Sequence, residues 1–207
     1  MMMKPEPLSE PTLSTGIAYL VQADADLARV VARLGPPPLW VREPGFPTLV
    51  QIILEQQVSL ASARAAYAKL TAAAGVLTPS LFLGYSDHEL REFGFSRQKT
   101  GYCRGLAQSI VEGRLDLETL EELSDSDVRS RLIEIKGIGP WTADIYLLMA
   151  LRRPDIWPAG DLALAAAVQQ VKNLPVTPTR DELREIAADW KPWRAVAARI
   201  LWQHYLS

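Results

Sequence analysis

Cysteine and histidine are scarce in this chain of 207 residues, which contains one cysteine, Cys103, and two histidines. A single cysteine excludes an internal disulfide and a centre ligated by several cysteines. Two histidines are too few for most metal sites built from imidazole groups. The sequence therefore predicts a protein with neither a metal centre nor an iron–sulfur cluster, working in a reducing cytoplasm.

Long apolar runs and a positive charge excess are also missing. No run approaches the roughly 18 apolar residues of a membrane span. Segment 1–11 lacks the apolar region of a signal peptide, so we expect a flexible leader there. The 22 basic and 24 acidic side chains give a formal net charge of −2, which argues against a dedicated nucleic-acid binder.

Local basic clusters can bind DNA even when the net charge of the chain is negative. The alternative is that these clusters are solvated helix faces. The clusters are Arg97 with Lys99, Arg152 with Arg153, and Lys191 with Arg194 and Arg199.

Strand-type alternation of apolar and polar residues is scarce, whereas apolar spacings of three and four recur along the whole chain. This periodicity predicts an all-α fold. Residues 12–207 are expected to form one helical core in two lobes, with 48–150 in a central lobe and 12–47 plus 151–207 in the second. The expected helix boundaries are N-caps at Ser86 and Ser96 and stops at Gly35, Gly75, Gly94 and Gly113.

The segment "KGIGP" separates a helix that ends near Ile135 from one that begins at Pro140. Gly137 and Gly139 can adopt the positive φ values of a tight reversal, and Pro140 suits the first helical position. Ile138 is expected to plug the turn. The amides exposed beside a helix N-terminus favour an anion such as a phosphate. A plain corner between two helices remains the alternative.

Two segments together resemble a known family. "IKGIGPWTADIYLLMAL", followed by "WPAGDLAL", resembles the helix-hairpin-helix and Gly/Pro-rich loop with aspartate (HhH-GPD) of a DNA glycosylase superfamily. "IILEQQVSLASARA" and "DWKPWRAVAARILWQHY" are similar to segments of its alkylation branch, that of 3-methyladenine DNA glycosylase II. The similarity covers roughly residues 38–206.

The resemblance implies an all-α, two-lobed core without the N-terminal β-rich domain of some relatives. It also implies a base excision repair enzyme that flips alkylated purines, such as 3-methyladenine or 7-methylguanine, out of duplex DNA and hydrolyses their N-glycosidic bond.

Asp161 opens the predicted helix 162–172, where an aspartate is usually an N-cap. The resemblance makes it the catalytic carboxylate, and both roles are compatible because a helix N-terminus keeps a carboxylate ionised. Base removal leaves positive charge on the sugar. At a distance of about 4 Å and a dielectric constant near 20, a carboxylate stabilises that charge by about 4 kcal/mol.

Trp141 stands where strand-cutting relatives have the lysine that forms a Schiff base. Lys136 precedes the turn, which suits a phosphate contact or a solvated side chain. The resemblance therefore implies base removal without cleavage of the DNA strand. Methylated purines already carry positive charge, so their departure needs little protonation.

Aromatic faces hold a cationic base well. Trp141 and Trp202 match pocket positions of the alkylation branch, and Trp157 is a weaker candidate, with core packing as the alternative for all three. One departure affects the pocket. Ile145 replaces an aromatic residue of that branch, and the adjacent Tyr146 points about 100° away on the helix.

The flipped base leaves a gap in the duplex. By its position in "EQQVS", Gln57 is the candidate to fill this gap, with Gln56 beside it; two solvated glutamines at a helix end are the alternative. Backbone contacts are expected from the amides around Gly137 and Gly139, with Lys136, Arg97 and Lys99.

The expected partner is damaged double-stranded DNA, bound by a monomer that has no membrane contact and associates with the nucleoid. No cofactor is required, although a monovalent cation held by the hairpin carbonyls is compatible with the motif. Three alternatives remain open: a non-catalytic helix-hairpin-helix DNA-binding module, an all-α interaction protein, and a glycosylase for etheno or oxidised bases or for mismatches.

Overall fold

The structure is a computed structural model that describes residues 6–207, and these residues form α-helices and turns without any strand. The all-α prediction is confirmed. The helices are α1 (Glu10–Ala23), α2 (Ala25–Leu34), α3 (Phe46–Glu55), α4 (Leu60–Ala74), α5 (Pro79–Gly84), α6 (Asp87–Glu92), α7 (Arg97–Val111), α8 (Asp125–Ile133), α9 (Pro140–Met149), α10 (Leu162–Val171), α11 (Arg180–Ala188) and α12 (Arg194–Tyr205).

Helix ends follow the local chemistry of the sequence. Ser86 and Ser96 accept hydrogen bonds from the backbone N–H groups three residues ahead, which makes them the N-caps of α6 and α7. The four predicted glycine stops all have positive φ: Gly35, Gly75, Gly94 and Gly113. No pattern in the sequence predicted the short helix α5.

One compact unit consists of residues 6–41 and 147–207. In this unit α12 packs against α1, α2 and α10. Arg199 of α12 is completely buried and donates to the carbonyl oxygens of Leu39, Leu148 and Ala195 at 2.7–2.9 Å. Burial lowers the pKa of its guanidinium to about 10. Arg199 therefore ties three backbone segments together and is no part of a surface cluster.

The second compact unit consists of residues 42–146, so the division falls within α9. Here α7 packs against α3, α5 and α6, and α3 also packs against α4. Phe82 of α5 contacts the rings of Phe46 and Phe95, each with centroids 5.8 Å away. These contacts explain how α5 forms without a strong local signal, since its one buried side chain lies in this aromatic cluster.

The N-terminal segment differs in part from the predicted leader 1–11. Helix α1 begins at Glu10, and Leu8 is buried, with its N–H donating to the carbonyl oxygen of Arg152 at 2.7 Å. Leu8 is thus part of the first unit's core and residues 10 and 11 belong to α1, while 1–5 lie outside the described residues.

No helix between residues 6 and 207 is long and apolar enough to cross a membrane. The same stretch of chain holds no group of three His, Cys, Asp or Glu side chains placed to bind a metal ion.

Candidate active site

Asp161 lies where the loop after α9 ends and α10 begins. The loop closes in two tight turns, in which the N–H of Ala159 donates to Trp157 O at 3.0 Å and that of Asp161 to Pro158 O at 2.9 Å. Asp161 has extended backbone angles, and its Oδ1 accepts from the N–H of Leu164 at 2.9 Å. The predicted N-cap is confirmed, and the carboxylate occupies the positive end of α10.

Trp202 of α12 meets this carboxylate. Its indole Nε1 donates to Asp161 Oδ1 at 3.2 Å, and both side chains are buried. The guanidinium of Arg194, at the start of α12, binds both carboxylate oxygens of Asp155 at 2.7 and 2.9 Å. The loop that leads to Asp161 is thereby attached to the helix that carries Trp202. Two residues predicted for the site, 41 positions apart, are in direct contact.

Trp157 lies in the core of its unit. It is 6% exposed and its ring packs edge-on against Trp190, with centroids 5.3 Å apart. This packing favours a structural role for Trp157, which anchors the Asp161 loop in the core, over the predicted role in the base pocket.

The predicted basic clusters are largely committed to internal contacts. Arg153 is buried like Arg199, and Arg194 is paired with Asp155. Lys191 alone of its cluster is exposed. Arg199 and Arg194 stabilise the fold because their guanidinium groups bind backbone or carboxylate oxygens. The sequence alone could not distinguish such internal contacts from solvation.

The hairpin has the predicted form at three positions and differs at one. Pro140 begins α9, Ile138 is 3% exposed, and Gly137 has a φ of 97°. A Cβ on Gly137 would lie 2.1 Å from the ring of Tyr102, so only glycine fits there. The prediction for Gly139 is wrong, because its φ is not positive and a Cβ there would meet nothing within 4 Å.

Helix α9 begins with Pro140, which has no backbone N–H, and the N–H of Ala143 donates to the carbonyl oxygen of Gly139 at 3.1 Å. Trp141 is partly exposed in this first turn. Lys136 and Arg97 are exposed side chains in the same unit. Of the two, Lys136 is next to Gly137 in sequence and is therefore the exposed basic side chain adjacent to the hairpin.

The end of α3 carries the two glutamines, and the structure separates their roles. Gln57 is exposed and has a φ of 55°. Gln56 turns inwards: its Nε2 donates to Gly137 O at 2.9 Å and to Thr142 Oγ1 at 2.8 Å. The amide of Gln56 is therefore bonded to the hairpin, which disfavours its predicted entry into the DNA stack.

Lys99 also differs from expectation. Its ammonium donates to Leu54 O at 2.6 Å, and burial lowers its pKa. A lysine bonded to the C-terminal turn of α3 stabilises that turn and is a poor candidate for a phosphate contact.

Ile145 and Tyr146 of α9, which bear on the shape of the predicted base pocket, are both buried. Ile145 is 4% exposed. Tyr146 is fully buried, its hydroxyl accepts from the N–H of Gly45 at 3.0 Å, and burial raises its pKa to about 12. The missing aromatic is therefore not supplied by Tyr146.

Residues 50–193, more than half of the chain, match the family described as the HhH-GPD superfamily of base excision DNA repair proteins. The chain belongs to this superfamily. Its hairpin and its aspartate loop both lie within the matched range.

Several relatives are similar in sequence. The chain is 35% identical over 115 residues to a DNA-3-methyladenine glycosylase of Bacillus subtilis. These 115 residues cover 56% of this chain and 38% of that relative. It is 26% identical over 181 residues to DNA-3-methyladenine glycosylase 1 of Schizosaccharomyces pombe, covering 86% of this chain and 79% of the relative. The chain spans less than half the length of two B. subtilis relatives.

Solved structures give the same fold. The S. pombe 3-methyladenine DNA glycosylase in complex with abasic DNA superposes with a TM-score of 0.88 at 26% identity, over 93% of this chain and 97% of the other. A DNA-3-methyladenine glycosidase from Bacillus halodurans gives 0.76 at 28% identity, over 98% and 93%. The predicted HhH-GPD fold is confirmed.

Two residues of this superfamily member were missed at the sequence level. The ring of Tyr102 occupies the space that a Cβ of Gly137 would need, and Thr142 Oγ1 accepts a hydrogen bond from Gln56 Nε2. Neither has a local signal: a tyrosine on an amphipathic helix and a threonine in a helix's first turn are ordinary, and only their distant partners give them a role.

Proposed function

We propose that the chain is a monofunctional DNA glycosylase, which hydrolyses the N-glycosidic bond of alkylated purines in duplex DNA. One observation carries the proposal: the Asp161 carboxylate is fixed at the N-terminus of α10 by Leu164 N–H and Trp202 Nε1–H. The loop that holds it lies within the range 50–193 that matches the superfamily, and the chain is similar to relatives named for 3-methyladenine removal.

In the proposed reaction the bond between C1′ of the sugar and the purine nitrogen breaks, and its electron pair moves onto the base. A methylated purine is cationic, so it departs as a neutral molecule. The Asp161 carboxylate stabilises the positive charge left on the sugar by about 4 kcal/mol, or roughly a thousandfold in rate. Water then adds to C1′ and releases a proton.

Absence of strand cleavage follows from Trp141. An indole has no amine with which to attack C1′, so no Schiff base forms at this position. Lys136 precedes Gly137, whose positive φ begins the turn into α9. We expect an intact strand carrying an abasic site as the product.

Trp141 and Trp202 are the proposed contacts of the cationic base, through stacking and cation–π attraction. Trp202 is the stronger candidate because it also bonds the carboxylate. Trp157 is left out of the proposed pocket because it packs on Trp190.

DNA is the proposed partner, and the hairpin amides with Lys136 and Arg97 are its proposed backbone contacts. Each phosphate neutralised by a lysine or arginine adds about 0.9 to the salt slope. Two such side chains predict a shallow slope, because amides contribute no released counterion. Gln57 is the proposed filler of the gap.

The remaining proposals follow from the reaction. Hydrolysis of the bond to a methylated, cationic purine needs no cofactor, and one bound lesion needs one chain, so we propose a monomer. We also propose that it works in the cytoplasm, associated with the nucleoid. The Gly137 carbonyl already accepts from Gln56, so a monovalent cation would use its second lone pair and the neighbouring carbonyls.

The test is incubation of the native chain with methylated duplex DNA, with free bases identified by chromatography and strand nicks counted before and after alkali. Release of methylpurine with nicks only after alkali is the expected result. Nicks without alkali would contradict the monofunctional assignment. DNA binding with no released base would indicate the non-catalytic binding module.

A second candidate concerns the lesion. Ile145 replaces an aromatic residue of the alkylation branch and Tyr146 is buried, which leaves a different pocket shape and lesion spectrum open. Including etheno and oxidised bases in the same assay decides between the substrate classes.

A further inference from the structure

We infer that Gln56 is a positioning residue that couples the hairpin to the turn carrying Gln57, an inference that rests on the proposed function. Gln56 ends α3, and its side-chain amide has two N–H groups. One faces Gly137 O at 2.9 Å and the other Thr142 Oγ1 at 2.8 Å. A carbonyl can only accept, which fixes the orientation of the amide. Gln56 therefore joins α3 to both sides of the hairpin, 81 and 86 residues away.

The turn that presents Gln57 is held at three points. Besides the amide of Gln56, the Lys99 ammonium binds Leu54 O at 2.6 Å. The guanidinium of Arg42 binds both oxygens of Glu55 at 3.1 and 2.9 Å.

Gln57 itself has a φ of 55°. A residue other than glycine rarely adopts this left-handed backbone conformation, and it persists where surrounding contacts impose it. These contacts therefore hold the backbone from which the exposed Gln57 side chain extends.

The hairpin is fixed on its other side by Tyr102, whose ring lies where a Cβ of Gly137 would be. Gly137 is thus held between Tyr102 and the amide of Gln56. A phosphate bound at the hairpin and a side chain inserted from the α3 turn share this one rigid element. Both groups are therefore presented to DNA in a fixed relative position, which lowers the cost of binding the two together.

A double-mutant cycle tests the coupling. Gln56→Leu removes the amide at similar volume, Gln57→Ala removes the proposed gap filler, and the third variant carries both. We expect Gln56→Leu to lower kcat/KM on methylated duplex DNA about tenfold, and the double variant to be no slower than the slower single variant. On methylated single strands, which have no gap to fill, Gln56→Leu should retain near-native activity.

Matched variants keep the result interpretable. Gln108→Leu changes an exposed glutamine of the same unit, whose amide donates to Glu112, and should leave kcat/KM unchanged. Thr142→Val removes one of the two acceptors and should give an effect smaller than that of Gln56→Leu. Thermal unfolding of each variant separates a loss of fold from a loss of coupling.

Multiplying effects in the double variant, or equal losses on single and double strands, would overturn the inference. The same cycle is run on the affinity for duplex DNA containing an abasic-site analogue, which requires no chemistry. A native chain that releases no base therefore counts against the proposed function, while the affinity cycle still decides whether Gln56 couples the two elements.

Discussion

Two aspartates in the first unit cap helices in the same way, and only one is proposed to act on DNA. Asp24 caps α2 and Asp161 caps α10. Each is 9% exposed, and each accepts a hydrogen bond from an indole N–H, Asp24 from Trp190 at 2.7 Å and Asp161 from Trp202 at 3.2 Å. A capped helix and a bonded tryptophan are therefore not in themselves signs of catalysis.

Asp24 has a structural role in the first unit. Asp24 also binds the ammonium of Lys172 at 2.7 Å. Burial raises the pKa of Asp24, but the hydrogen bonds from Lys172, Trp190 and Leu27 outweigh it and hold the pKa below its ordinary value.

Asp161 lies within the range 50–193 that matches the superfamily, whereas Asp24 lies outside it. The comparison teaches that the place of a capping aspartate in the matched segment, and not the cap itself, makes it a candidate for chemistry.

The largest expected effect comes from Asp161→Asn. Asparagine caps a helix as well as aspartate, so the free energy of unfolding should change by less than about 1 kcal/mol. Loss of the negative charge should slow base release about a thousandfold. Single-turnover kinetics on methylated duplex DNA measure the rate. Unchanged affinity for abasic DNA is the control.

Asp24→Asn should have the opposite profile. The cap persists, but the charged hydrogen bond with Lys172 is lost, which should lower the free energy of unfolding by about 2 kcal/mol. Urea denaturation followed by circular dichroism measures it. Base release by the folded protein should stay within about twofold of native, since Asp24 has no proposed contact with DNA; a thousandfold loss would remove the distinction between the two caps.

Trp202→Phe sharpens the comparison on the aromatic side. The ring face remains while the N–H that orients Asp161 is lost, so base release should fall about tenfold. Trp190→Phe is the matched change at Asp24, and it should reduce stability with no effect on the chemical step. Equal losses of rate in both variants would mean that the indole bonds are structural at both sites.

The smallest effect is a dependence of stability on pH. Because the folded pKa of Asp24 lies below its unfolded value, its contribution is present above about pH 4 and is lost as the pH falls through the folded value. The difference in unfolding free energy between native protein and Asp24→Asn should therefore shrink between about pH 4 and pH 2. A constant difference over that range would show that Asp24 is not the titrating group.

Local chemistry was readable from the sequence. Ser86, Ser96, Gly137 and Pro140 act through backbone angles and bonds within four residues, so the caps, the stops and most of the hairpin follow from their residue types. The N-cap role of Asp161 is of the same kind.

Contacts between distant segments were not readable. In the sequence Arg199 resembles a surface charge, and only the structure shows its three carbonyl partners. Gln56 likewise resembles a solvated amide, and only the structure shows its bond to Gly137. Short helix α5 depends on an aromatic cluster drawn from three segments. In each case the partner, and not the residue type, decides the role.

The most direct test of the central claim is base release from one batch of methylated duplex DNA by native protein, Asp161→Asn and Asp24→Asn, at a temperature where all three are folded. We predict rapid release of methylpurine by native protein and Asp24→Asn, with a loss of about a thousandfold in Asp161→Asn alone. Equal rates for native protein and Asp161→Asn would contradict the claim, because the carboxylate at the start of α10 would then be a helix cap like Asp24 and no part of the reaction.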